Sequence, residues 1–302
     1  MMTAADSSWL QIHPDVRTAL AENQPIVALE SAVITHGLPR PINLELARRM
    51  EFEIRKASAL PAIAAVLDGV ARLGLTHKEL ERLSLDEHAV KISRRDLGWS
   101  RAAGLSGGTT VAGAMIMARV AGIPIFATGG IGGVHRGAGM DVSADLPELA
   151  QTPVAVVCSG AKAILDLPRT VEWLETAGVP VIGYQTDEFP SFYSRESGLP
   201  VSIRADTPAE VADILRSHWQ LPSAGSVLVV VPCPETDAIP LDEVQEALRR
   251  AETEARNVSG AALTPFLLSR MSEYTGGRSL GANLALLRNN AQVAAGIAVA
   301  LR

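Results

Sequence analysis

ATGGIGGVHRGAGMDVSADLPELAQTPVAVVCSGAK, residues 127–162, sets glycines, a histidine, two close aspartates and a lysine between two apolar runs. The first run, Ile123 to Ala127, stops where Gly129, Gly130, Gly132 and Gly133 begin; the second, Val154 to Val157, stops at Cys158-Ser-Gly-Ala-Lys162. Glycines at a strand end let the backbone turn beside a ligand, so this stretch predicts an α/β sheet with its chemistry at the strand ends. Gly130-x-Gly132-Gly133 is short of the full dinucleotide fingerprint and no helical pattern follows at once, so a tight loop is the competing reading to a cofactor loop.

Outward from this centre, strands alternate with helices. Upstream lie a short amphipathic segment near Val16 to Ala21, the apolar run Pro25 to Leu29 ending at Glu30, and the loop-like Ser31 to Pro39. A helix follows with Leu44, Ala47, Met50 and Ile54 at helical spacing. Ala62 to Leu67 and Val70 to Leu75 read as a hairpin turning at Asp68-Gly69. Thr76 and Glu79 form a capping box, Val90 to Ser93 a brief strand carrying Lys91, and Gly107-Gly-Thr-Thr110 leads into a helix that is small and apolar all round. Downstream, helices are expected near 168–177, from the box Thr207 to Glu210, over 241–256, and over 263–274 and 280–301. Strands are expected over 179–184, 201–204 and 226–231. This alternation predicts one three-layer α/β/α domain over residues 1–302, and the Asp68-Gly69 hairpin makes its sheet mixed, mostly parallel. Only residues 1–14 are expected to be flexible.

Composition narrows the function classes. With 302 residues and 47% hydrophobic content the chain can bury a large core. A net charge of −6 argues against affinity from neutralising a nucleic-acid backbone, while a small phosphorylated ligand stays open. Cys158 and Cys233 each end an apolar run, which predicts buried free thiols in a reducing cytoplasm. No apolar run reaches the roughly 18 residues of a membrane span. G-x-S-x-G, Walker and H-E-x-x-H motifs are absent, which removes the common hydrolase and kinase readings.

Glu30, Lys91, Thr109-Thr110, His135, Asp141, Asp145 and Lys162 all fall at or just past the ends of apolar elements. A lysine at a buried strand end can become a nucleophilic amine; the alternative is a surface lysine opening a helix. Glu30 is a general acid or an exposed strand terminus, and Asp145 a site residue or a helix cap before which Ser143 also stands. His135 beside Arg136 could hold phosphate or belong to an ordinary loop. No three-ligand zinc spacing occurs, whereas a single carboxylate with waters suits Mg²⁺ or Mn²⁺.

The motifs ALESAVITHGLPRPIN, KISRRDL, GGTTVAGAM, TGGIGGVHRGA, DVSADL, CSGAKAILDLPRTVEWLET and GYQTDEFPSFYSRESGLPV resemble, over nearly the whole chain, the pseudouridine-5'-phosphate glycosidase family, related to indigoidine synthase A. The resemblance implies reversible cleavage of the C–C bond between uracil C5 and ribose C1' of pseudouridine 5'-phosphate, giving uracil and ribose 5-phosphate. Lys162 would be the nucleophile, forming an imine with ring-opened ribose, and Glu30 the proton donor or acceptor. Asp141 would hold Mn²⁺ mainly through water, in a loop after His135 that is shorter than the family's. Lys91, Thr110, Val111, Thr128, His135, Ser143, Ala144 and Asp145 would surround the sugar phosphate, and Asn283 would read uracil. The resemblance also implies a homotrimer, a cytoplasmic location, small-molecule partners with neither nucleic acid nor membrane, and no fused sugar-kinase domain. Competing expectations are an imine-forming lyase on another sugar phosphate and a non-catalytic sugar-phosphate binder.

Overall fold

Asp68 and Gly69 both take positive φ, 51° and 75°, the geometry that lets a two-residue loop follow the twist of its strands. In the computed structural model, which describes residues 9–137, 140–255, 258 and 263–302, they join antiparallel strands with Leu67 opposite Val70. In chain order the strands are β1 (Leu10–Ile12), β2 (Ile26–Leu29), β3 (Leu60–Leu67), β4 (Val70–Leu73), β5 (Val90–Ile92), β6 (Gly107–Thr109), β7 (Ile125–Ala127), β8 (Val134–His135), β9 (Ala155–Cys158), β10 (Leu165–Asp166), β11 (Val181–Tyr184), β12 (Ile203–Ala205) and β13 (Val227–Val230). The helices are α1 (Pro14–Ala21), α2 (Ile42–Lys56), α3 (His77–Leu85), α4 (Leu97–Ala102), α5 (Val111–Ala121), α6 (Asp145–Gln151), α7 (Leu167–Thr176), α8 (Pro208–His218), α9 (Leu241–Glu254), α10 (Leu263–Tyr274) and α11 (Arg278–Ala300).

The 11-stranded sheet runs β1-β4-β3-β2-β7-β9-β13-β11-β12, with β6 also antiparallel to β3 and β5 parallel to β6. From β3 through β2, β7, β9, β13 and β11 to β12 every pairing is parallel. These central strands read IVAL, AVVC and VLVV and are buried throughout, as a parallel sheet covered on both faces requires. Helix α11 packs on β2, β7 and β9 and against α2 and α8; α5 packs on β2, β3 and β7 and against α6. The architecture is therefore the expected α/β sandwich with a mixed, mostly parallel sheet.

From β2 the chain crosses to β3 on one side, while β7 adds on the other. Strand order thus reverses at β2 and β7, the point where open α/β sheets leave a crevice beyond the carboxyl ends. Both expected capping boxes form, at Thr76 and Thr207. Two local expectations fail. Leu10–Ile12, expected within a flexible lead, pairs in parallel with β4 because Leu10 finds buried apolar surface there. The expected loop Ser31 to Pro39 winds a single wide helical turn, Val33–Gly37, because buried Ile34 anchors it to the core.

Candidate active site at the carboxyl ends of the strands

Glu30 follows β2, Thr128 follows β7, and Lys162 lies four residues past the end of β9. These three strands are neighbours, so parallel pairing alone brings the three side chains to one end of the sheet. Glu30 is only 6% exposed, which excludes the exposed-terminus reading. Its carboxylate accepts the Thr128 hydroxyl proton. Burial pushes the Glu30 carboxyl above its ordinary value; Lys162, the Thr128 hydrogen bond and Lys91 oppose that rise, and Asp145 adds to it.

Lys162 is half-buried and does not open a helix; its N–H donates to the Ile131 carbonyl at 3.1 Å, and the Leu165 N–H donates to its own carbonyl. The glycine loop and the segment after β9 are laced together: Thr128 N–H to Val157 O, Ser159 N–H to Gly129 O and Ile131 N–H to Gly160 O. Beyond them β8 and β10 pair His135 with Leu165. A Cβ on Gly132 would collide with Ser143 Oγ, and one on Gly133 with Thr170 Oγ1. The glycines thus serve close packing of the tight loop rather than a dinucleotide.

Lys91 presents surface to solvent on β5, yet the protein atoms crowding its ammonium, and then the charge of Lys162, hold it below the usual lysine range; Glu30 and Asp145 pull the other way. Two lysines and two carboxylates therefore face one another electrostatically across β5, β2, β9 and α6.

Asp145 is buried, and its carboxylate accepts the Ala112 N–H at 3.0 Å and the Gly132 N–H at 2.8 Å. Ser143 Oγ accepts the Asp145 N–H, but the expected Ser143 cap does not form: Ala144 stands at the N-cap position of α6, and Ser143 lies one residue before it. Thr110 Oγ1 caps α5 by accepting the Gly113 N–H. The expected anion cradle at the start of α5 is thereby narrowed: Val111 N–H alone in that first turn has no partner among the described residues. Asp145 occupies the next N–H, because a carboxylate gains from the same helix end that a phosphate would. Ala144 is exposed at the start of α6.

His135 is half-buried, and its N–H donates to the Asp141 carbonyl at 2.9 Å. Arg136 is engaged elsewhere, donating to the Leu165 carbonyl and pairing with Glu252 at 3.6 Å, so it does not join His135 as an anion clamp. Asp141 is exposed, with no side-chain partner among the described residues. Nor is there, among those residues, a group of three His, Cys, Asp or Glu able to hold a metal. That donor set does not fit zinc, but it fits a hard cation that keeps most of its water. Ala138 and Gly139, inside the short loop, lie outside the described residues.

The three asparagines of α11 separate clearly. Asn283 is half-buried, about two turns toward the helix start from Asn290. Asn289 lines a groove with Glu53, Asp237 and Arg288. Asn290 is fully buried and donates to the carbonyls of Thr128 and Gly129. Sequence reasoning missed this last role, and it missed a clamp at the base of α6. There Arg94, from the KISRRDL motif, grips buried Glu148 through Nε and Nη2, one carboxylate oxygen each, and Thr152 donates to the same carboxylate. Cys158 and Cys233 are free and buried, with burial pushing each thiol up to about 12, as expected of inert thiols.

Residues 15–300 match the family profile described as Indigoidine synthase A like protein. A pseudouridine-5'-phosphate glycosidase of Methylobacterium nodulans is 54% identical over 97% of this chain and 88% of its own. One of Solibacter usitatus is 53% identical over 97% and 99%. Among solved structures, the prealnumycin C-glycosynthase AlnA in complex with ribulose 5-phosphate superposes with a TM-score of 0.91 at 39% identity, covering 98% of this chain and 97% of its own. An indigoidine synthase A-like protein of Thermotoga maritima gives 0.88 at 38%, covering 96% and 95%.

Proposed function

The chain belongs to the Indigoidine synthase A like family, and we propose that it is a pseudouridine-5'-phosphate glycosidase, converting pseudouridine 5'-phosphate and water reversibly into uracil and ribose 5-phosphate. The observation that carries this reading is that Glu30, whose burial raises its carboxyl above the ordinary value, and Lys162 are brought to one end of the sheet by β2 and β9, the two strands flanking β7. Relatives bearing that name at about half identity, and a neighbour solved with ribulose 5-phosphate, support it.

The chemistry follows from the bond. Carbon is a poor leaving group until it is protonated and electrons arrive from the sugar. The C1'–O4' bond opens and O4' takes a proton, then the amine form of Lys162 adds at C1' and gives up a proton. Glu30, whose burial favours the protonated carboxyl, donates to uracil C5. The C1'–C5 bond breaks as the lysine nitrogen's lone pair forms the C1' imine. Water hydrolyses the imine, releasing ribose 5-phosphate, restoring Lys162 and returning the proton to Glu30. Thr128 orients Glu30 throughout.

Lys91 and the Val111 N–H, with Thr110 shaping that helix start, would take the phosphate. Asp145 keeps the helix start in place, and each of its oxygens retains a lone pair toward the sugar. Ser143, Ala144 and His135 border the same crevice, and the Asn283 amide offers the donor and acceptor that uracil's edge needs. Asp141 would hold Mn²⁺ mainly through water, and the bound ion would supply positive charge to the phosphate and sugar oxygens. The assembly is a homotrimer in the cytoplasm by the same reading; among the described residues no helix is long and apolar enough to cross a membrane.

A second reading, C-glycoside chemistry on a different base, is favoured by the neighbour named as a C-glycosynthase. Incubation with pseudouridine 5'-phosphate and Mn²⁺, followed by chromatography of uracil and ribose 5-phosphate, separates the two. Uracil release supports the first; no uracil, with an imine still forming from ribose 5-phosphate, turns the assignment to the second.

A further inference from the structure

Asn290 sits in the middle of α11 with no exposed surface. Its Nδ2 donates to Thr128 O at 2.9 Å, to Gly129 O at 3.3 Å and toward Ser159 Oγ at 3.1 Å, while Ser159 Oγ stands 3.3 Å from its Oδ1. One carboxamide thus ties the helix layer to the main chain just after β7 and to the Ser159 hydroxyl just after β9. These are the segments that carry Thr128 and Lys162. Between the Thr128–Val157 and Ile131–Gly160 hydrogen bonds the two segments would otherwise be held only by Ser159 N–H to Gly129 O. Thr128 is the residue whose hydroxyl fixes Glu30.

We propose that Asn290 is a positioning residue for the reaction assigned above: by holding the Thr128 carbonyl it aims the Thr128 hydroxyl at Glu30 and keeps the Lys162 segment in register. The inference rests on that assignment. It touches no reacting atom itself. Without the carboxamide the peptide after Thr128 rotates, the hydroxyl leaves Glu30, and a hydrogen bond that favours the ionised carboxylate is lost. The proton of Glu30 is then held more tightly.

The test is the pH profile of kcat and KM for pseudouridine 5'-phosphate cleavage in Asn290→Ala, alone and combined with Thr128→Val. Misorientation predicts a roughly 10- to 100-fold fall in kcat with KM little changed. The Glu30 limb should move up by about 0.5 to 1 in pH. Thr128→Val should reproduce that movement, and Asn290→Ala should add none to it, since both act through one hydrogen bond. If the alanine variant does not fold, Asn290→Asp carries the test, with its ionised carboxylate facing two carbonyl oxygens and the deficit shrinking as pH falls. A limb at the wild-type pH in a folded variant overturns the proposal, because lost stability alone lowers rate without moving it. Failure of both variants to fold overturns it too, in favour of a purely structural amide. Uracil release by the unaltered protein is scored first: its absence overturns the assigned reaction and this inference with it, whereas its presence with an unmoved limb overturns Asn290's role alone.

Discussion

At the amino ends of β7, β9 and β13 the chain forms a groove of about 750 Å³, bordered by Arg119, Gln151, Thr152, Trp219, Leu221 and Ser223. At the carboxyl ends of β2, β7 and β9 it gathers Glu30, Lys91, Asp145 and Lys162 instead. Arg119 is the one ionisable side chain on the groove's border among the described residues. The crevice has the coupled charges, the buried acid and the glycine loop. Strand direction explains the contrast: parallel strands deliver their following loops to one end, so reactive side chains accumulate there whatever the size of the hollow.

Substitutions that separate the two ends sharpen this contrast. The largest effect is expected from Lys162→Arg, which keeps the charge but cannot form an imine, since a guanidinium stays protonated. Uracil release should fall on the order of 10³-fold or more, while the protein still folds by circular dichroism. Turnover within tenfold of the unaltered protein would remove Lys162 from the reaction.

Glu30→Gln comes next, with kcat lowered about 10²- to 10⁴-fold as a proton donor is lost. It also carries a stability signature of opposite sign. Because burial raises the Glu30 pKa above 4.5, the folded state binds this proton more tightly than the unfolded one. The stability it contributes is fully present below that ordinary value and is lost as pH rises through the raised one. Glutamine mimics the protonated form at every pH. The variant's Tm should therefore match the original near pH 4.5 and exceed it increasingly toward neutrality, and a gap that shrinks with rising pH would contradict the buried-acid assignment.

Asp141→Ala should lower activity about 10- to 100-fold and flatten the response to added Mn²⁺, because it removes the carboxylate proposed to hold the ion. Full activity after exhaustive chelation would contradict the metal proposal. At the other end of the sheet, Leu221→Ser changes a side chain that is 59% exposed. Stability should shift by no more than about 0.5 kcal/mol and turnover should not change. A tenfold loss of uracil release there would break the comparison.

The two ends also differ in how far they can be read from sequence. Glu30 and Lys162 are legible as strand-end residues because each falls at or just past an apolar run, and the parallel order β2-β7-β9 brings them to one end of the sheet; their roles come only from the family resemblance. The Asp68-Gly69 turn and the two capping boxes are legible because their physics is local. Asn290 is not: a lone asparagine within an alanine-rich helix carries no periodic signal, and its partners lie 131 to 162 residues away. Asp145 shows the intermediate case. Its place at a helix start is visible in DVSADL, but the N–H groups it captures, on Ala112 and Gly132, come from elements 33 and 13 residues away. The groove is equally hidden, since it is assembled from residues preceding three strands and following α8, with no shared motif.

The central claim is that the Lys162 amine bonds to C1' of an opened ribose. It is tested most directly by incubating the protein with ribose 5-phosphate, reducing with borohydride and mapping the added mass by peptide mass spectrometry. The account predicts one reduced adduct, on the Lys162 side chain, absent in Lys162→Arg. An adduct on Lys91, or none on any lysine, would contradict it.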